Sequence, residues 1–180
     1  MLSILIMLKY LPSISATRHS ALLLVAALLL VSQPANSQEL KNKYKDWSVY
    51  TINENGQKLC YAVSYPKRKT GNYRSRSQPY AMVTTANGKE DEFSVTGGYK
   101  YKERTEPRIK IDRKTYRLSL TKGEMAWPKT DKFDRILVDK MKKGSTMKVT
   151  GTSQIGTYSI DTYSLSGFTK AHRRIRGLCL

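Results

Sequence analysis

Apolar residues in this chain return at every second position over much of its length, a period that belongs to strands. Ile109 and Ile111 alternate with Arg108, Lys110 and Asp112. Across a short turn at Arg113-Lys114, Tyr116, Leu118 and Leu120 alternate with Arg117 and Ser119. One apolar face and one basic face is the pattern of an antiparallel sheet wet on one side. Trp47 with Val49, and Phe93 with Val95, repeat the period, and the second run stops at Gly97-Gly98. Leu59 to Tyr65 and Pro79 to Thr85 are rich in β-formers. Asn55-Gly56 and Asn87-Gly88 are two-residue hairpin signals, because both positions tolerate positive φ. A short strand is expected at Glu124 to Trp127, and two more at Thr146 to Thr152 and Thr157 to Leu165. In the last, apolar Tyr158 and Ile160 are followed by Tyr163 and Leu165, a slip of phase that suggests a bulge near Asp161-Thr162.

The period changes twice. From Asp131 to Lys143, Phe133, Ile136, Leu137 and Met141 recur at helical spacing. Thr130 can cap that helix, Asp131 and Asp134 suit its positive end, and Gly144 stops it. At the C-terminal end Phe168, Ala171, Ile175 and Leu178 share one helical face, with Ser166 placed to cap. The expected fold is mainly β: a single antiparallel β-sandwich or open barrel with two short helices, following a cleaved signal peptide.

That leader is residues 1–37. It contains no Asp or Glu; Lys9, Arg18 and His19 precede an unbroken apolar run of 11 residues, Ala21 to Val31, and Ala35-Asn36-Ser37 supplies small residues for cleavage between Ser37 and Gln38. A spanning helix needs about 20 apolar residues. The sequence therefore divides into a signal at 1–37, a polar tail at 38–45 and one domain at 46–180. The leader holds two of the 32 Lys and Arg, so 30 bases face 14 acids in the remainder, a net charge of +16. Such a surface attracts anions. The address points to a periplasmic, outer-membrane-associated or secreted protein and makes nucleic acid an unexpected partner; an anionic or proteinaceous partner at the envelope or host surface, and peripheral membrane association, fit better.

Cys60 and Cys179 are the two cysteines. In an oxidising compartment an even pair reads as a structural disulfide, and here one connectivity exists. No C-x-x-C occurs. Beyond the leader the single histidine, His172, sits beside Arg173 and Arg174 and reads as a surface residue of a basic helix. Glu90-Asp91-Glu92 reads as a solvated turn, without the ligand spacing of a calcium loop. No catalytic, metal or cofactor residues are expected. The strongest candidate contact is the loop from Lys67 to Arg76, in which Lys67, Arg68, Lys69, Arg74 and Arg76 surround Tyr73 without an acid. Lys100, Lys102 and Arg104, interleaved with Tyr99 and Tyr101, form a second basic region; Arg173, Arg174 and Arg176 form a third.

Several segments together resemble the invasion-associated locus B proteins of alphaproteobacteria. They are Asp46-Trp47-Ser48-Val49, Cys60-Tyr61-Ala62-Val63-Ser64, Pro79-Tyr80-Ala81-Met82-Val83-Thr84, Glu92-Phe93-Ser94-Val95-Thr96-Gly97-Gly98-Tyr99 and Ala126-Trp127. Met141 to Met147, Val149-Thr150-Gly151-Thr152 and Asp161 to Phe168 continue the match in order. The resemblance implies an envelope-associated β-rich domain. Members in intracellular pathogens are linked to host-cell invasion, and the family also occurs in free-living bacteria. It brings no catalytic residues. Many members have a further Cys shortly after the tryptophan strand, where this chain has Tyr50-Thr51.

Overall fold

The structure is a computed structural model, and it describes residues 38–180 except 55, 87, 88 and 90. The leader, the Asn87-Gly88 turn and the cleavage position at Ser37 lie outside the described residues. In chain order the elements are β1 (Glu39–Tyr44), β2 (Trp47–Glu54), β3 (Gln57–Ser64), β4 (Arg68–Gly71), β5 (Tyr80–Ala86), β6 (Glu92–Thr96), β7 (Arg108–Ile111), β8 (Lys114–Arg117), β9 (Leu120–Lys122), β10 (Met125–Trp127), α1 (Asp131–Lys143), β11 (Thr146–Thr152), β12 (Tyr158–Ser164) and α2 (Phe168–Cys179).

The strands form two antiparallel sheets that do not close into a barrel. One has seven strands in the order β1-β2-β3-β5-β6-β10-β9; the other has five, β4-β12-β11-β7-β8. Alternation decides which side chains meet between them. Trp47, Val49, Ala62, Val83, Phe93 and Val95 point inward from the larger sheet, and Ile109, Ile111, Met147, Val149 and Tyr163 from the smaller, into one core. Trp47 also donates its indole N–H to the Ser164 carbonyl at 3.0 Å, joining the sheets. α2 lies on β3, β2 and β5, burying Phe168, Ala171 and Ile175; α1 packs near β6 through Leu137, Val138 and Met141. Thr130 caps α1 as expected, its hydroxyl accepting from the Phe133 N–H.

Four local expectations change. The polar tail at 38–45 contains a strand: β1 pairs with β2, with its register shift between Leu40 and Asn42. Backbone hydrogen bonding to an exposed edge does not require an apolar sequence. The bulge expected near Asp161 is absent, and β11 and β12 pair without interruption from Thr146↔Ser164 to Thr152↔Tyr158. The phase had not slipped: Ser159 and Asp161 are the inward residues, and Tyr158 and Ile160 face out. Gly167, not Ser166, is the N-cap residue of α2, and no side chain caps it. Leu120 leaves the smaller sheet altogether and pairs with Trp127 in the larger.

Candidate functional site

The two sheets turn different chemistry outward. On the smaller sheet, cross-strand pairing lines up Arg68, Thr162, Lys148, Lys110 and Thr115 in one row. The next row is Thr70, Ile160, Thr150, Arg108 and Arg117. Arg68, Lys148, Lys110, Arg108 and Arg117 are all exposed, and among the described residues Arg117 alone of these meets an acid, Glu106 at 3.3 Å. Strands lie about 4.8 Å apart, so cations two strands away on this face stand about 10 Å apart. The larger sheet instead presents Tyr50, Tyr61, Tyr65, Tyr80 and Met82 around a cavity of about 220 Å³ that no charged residue lines. Tyr50 and Tyr61 stack with ring centroids 5.4 Å apart, and burial, then Tyr50, pushes the Tyr61 hydroxyl up to about 12.

The predicted basic loop begins as a strand, because β4 adds to the edge of the smaller sheet. Its residues do not act together. Arg68, Lys69 and Arg74 are exposed. Lys67 pairs with Asp46 and holds that carboxyl below its ordinary range. Tyr73 is half-buried, with the Arg76 guanidinium 4.3 Å from its ring centroid. Arg76 is withdrawn from the surface, its side chain only 4% exposed and forked onto Asp161, which is 2% exposed. One Nη donates to Asp161 Oδ2 at 2.7 Å and to the Gly97 carbonyl at 2.7 Å; the other donates to Asp161 Oδ1 and to the Tyr73 hydroxyl. Burial opposes the guanidinium charge, but the bonds to Asp161 and Tyr73 outweigh it and raise its pKa. Gly98 fits the crossing of the same segment over β6. At φ +74 it brings its Cα so near the Ser77 carbonyl that a Cβ would stand 2.1 Å from the oxygen.

Of the second basic region, Lys100, Lys102 and Arg104 are exposed, while Tyr101 is buried and Tyr99 donates or accepts at Ser159 Oγ, 2.7 Å away. The third region splits: Arg173 and Arg174 face solvent, and Arg176 turns to Asp91. His172 is not a surface residue. It is 4% exposed, and its Nε2 lies 2.6 Å from Asp91 Oδ2. Nor is Asp91 part of a solvated turn. It accepts from Thr85 Oγ1 at 2.5 Å and from Arg176 at 3.1 Å. Burial alone would raise the Asp91 carboxyl; His172, Thr85 and Arg176 more than offset that and hold it at about 2. The sequence hid this cluster because its members are 81 and 85 residues apart.

The pair Cys60–Cys179 is a disulfide, with Cα atoms 5.9 Å apart, and it fastens α2 to β3. Among the described residues no three His, Cys, Asp or Glu stand where they could hold a metal ion, and no helix is long and apolar enough to cross a membrane.

Two antiparallel sheets over one core, fastened by a disulfide and carrying a cationic outer face, define a small disulfide-linked β-domain. The family profile described as "Invasion associated locus B (IalB) protein" matches residues 47–176, and the chain belongs to that family. A solved structure, the crystal structure of invasion associated protein B from Bartonella henselae, is similar in fold. The TM-score is 0.54 at 19% identity, over 78% of this chain and 98% of that one. No curated protein matches the chain.

Proposed function

We propose that this is an exported, non-enzymatic envelope protein of the invasion-associated family, which holds an anionic surface against the outer face of its smaller sheet. The observation that carries the reading is the pair of cross-strand rows in which Arg68, Lys148, Lys110 and Arg108 stand exposed without carboxylate partners among the described residues, with Lys69 and Arg74 at the edge. An array of exposed cations on one sheet face suits an extended anionic surface such as a lipid bilayer, where each exposed charge adds a modest, salt-screened attraction. The non-enzymatic part of the reading is supported by the family, which is not a known enzyme family.

The test is sedimentation with vesicles of phosphatidylglycerol and phosphatidylcholine at low and high salt. The protein should bind the anionic vesicles at low salt and release on adding salt. Arg68→Glu with Lys110→Glu and Lys148→Glu should abolish binding with the fold intact. Full retention of binding by that variant would leave a structural envelope module, with an incidental charge, as the better reading.

A further inference from the structure

A different surface of the molecule is concave. Where the end of β1 meets the start of α2, two adjoining clefts of about 400 Å³ and about 360 Å³ open. They share Tyr44 and Lys170 as common walls. Lys43 and Lys45 complete the first, Arg173 and Arg174 the second, and no Asp or Glu lines either. The clefts exist because Gly167, at φ +93, lets α2 begin against β1: a Cβ there would meet the Tyr44 carbonyl oxygen at 2.0 Å.

The cations have no competing anion. Among the described residues, Lys43, Lys45, Lys170 and Arg173 have no carboxylate within ion-pair distance. The nearest acid in sequence, Asp46, is held by Lys67. Arg174 donates only its Nε, to Asn42 at 2.8 Å, which leaves the rest of its fork. The first turn of α2 carries no acid and no side-chain cap, so the positive end of the helix adds to the same field. Beneath the charges the walls are apolar, made by Tyr44, which packs against the core, and by lysine stems.

From this geometry we propose that the two clefts bind an anionic oligosaccharide, its sulfate or phosphate groups taken by Lys43, Lys45, Lys170, Arg173 and Arg174 and a sugar ring lying against Tyr44. Adjoining clefts with shared walls suit linked rings that repeat their charge; a single small anion would use one cleft. Their recessed shape suits a chain more than a plane. The inference therefore shares with the membrane-surface reading only the sign of the ligand's charge, and the two can fail separately.

The test is titration calorimetry of a sulfated heparin tetrasaccharide, at low salt, with the protein as expressed and processed. The wild type should bind one tetrasaccharide per chain, and the desulfated tetrasaccharide should not bind. Lys43→Glu with Lys170→Glu and Arg173→Glu should weaken binding by about tenfold or more, charge-assisted contacts being the strong ones. Arg108→Glu with Lys110→Glu and Lys148→Glu, the same change of charge on the other face, should weaken it by less than about threefold. All six positions are exposed, and circular dichroism checks each fold; a variant that unfolds is replaced by its alanine counterpart. Equal loss in both variants would overturn the proposal in favour of a diffuse cationic field. So would absence of binding by the wild type, or equally tight binding of an oligothymidylate of matched charge. Vesicle binding surviving any of these outcomes would leave the membrane-surface reading untouched.

Discussion

Two segments of this molecule are fastened across long stretches of chain, and they are fastened differently. α2 is held twice, by the Cys60–Cys179 disulfide and by Asp91 reaching His172 and Arg176. The segment after β4 has one ion pair, Arg76 forked onto Asp161, beside backbone bonds from Asn72 to Tyr158 and from Ser77 to Gly98. The first arrangement is redundant and partly open to water, since the Arg176 side chain is 46% exposed. The second is sealed. A sealed ion pair contributes little when intact, because desolvation offsets attraction, yet its half-removal leaves an uncompensated charge in the core. The lesson is that the more charged-looking segment is anchored by an ion pair that never meets solvent.

The largest effect should come from the redundant fastening. Cys60→Ser with Cys179→Ser opens a loop closed over 119 residues, worth about 4–5 kcal/mol on the chain-entropy model. Urea unfolding should show that loss, while the Asp91 cluster keeps α2 docked in native buffer. Arg76→Ala should cost about 3–5 kcal/mol by stranding Asp161. Arg76→Met combined with Asp161→Leu should recover most of it. A double mutant no better than the single would break the comparison, by showing that the pair does more than fill space.

The next effect is on pH. The Asp91 carboxyl is held at about 2, below the ordinary 3.8, so its contribution is present above pH ~4 and is lost as pH falls toward 2. That is worth about 2 kcal/mol. Asp134 runs the other way. Burial, together with Glu92, Asp131 and Asp91, raises it to about 6 despite the Phe93 N–H it accepts at 2.7 Å. Its contribution is present below pH ~4 and is lost as pH rises through 6. The contributions of these two groups overlap near pH 4. The smallest effect follows: Asp134→Asn keeps the acceptor for Phe93 and should stabilise the protein at pH 7.5 by about 1–2 kcal/mol, measured as a rise in Tm. An unchanged Tm would mean that the ionised carboxylate is tolerated there.

Much of the architecture was legible because period two is a local signal. Most strands, both helices and the Thr130 cap lie close to where alternation and helical spacing put them; β4, read as a loop, and β9, whose Leu120 the alternation assigns to the preceding strand, do not. β1 was missed because an edge strand of Lys, Asn and Glu carries no apolar period. Asp161 was the instructive error. An acid on the inward phase imitated a slip, when its partner Arg76 lies 85 residues earlier and was counted as a surface charge. A lone acid interrupting the inward phase of a strand is a signal to seek a buried cation elsewhere. The disulfide was legible from two cysteines and a leader. The cationic sheet face was only half legible: Arg108, Lys110 and Arg117 show in the alternation, but their alignment with Arg68 depends on a register that joins distant strands. The β1–α2 clefts left no sequence mark beyond Lys43, Lys45 and the basic residues of α2.

The disulfide has a consequence for wear. It makes a covalent ring of most of the described chain, and exposed Lys102, Arg104 and Arg113 lie on that ring. A trypsin-like protease that cuts after any one of them produces two polypeptides but not two particles. The halves stay joined through Cys60 and Cys179, and the sheet pairings still hold them in register. On a gel without reductant the nicked protein runs as one species, and only a thiol separates the pieces. In an oxidising, protease-rich setting, such a molecule can be damaged without being dismantled.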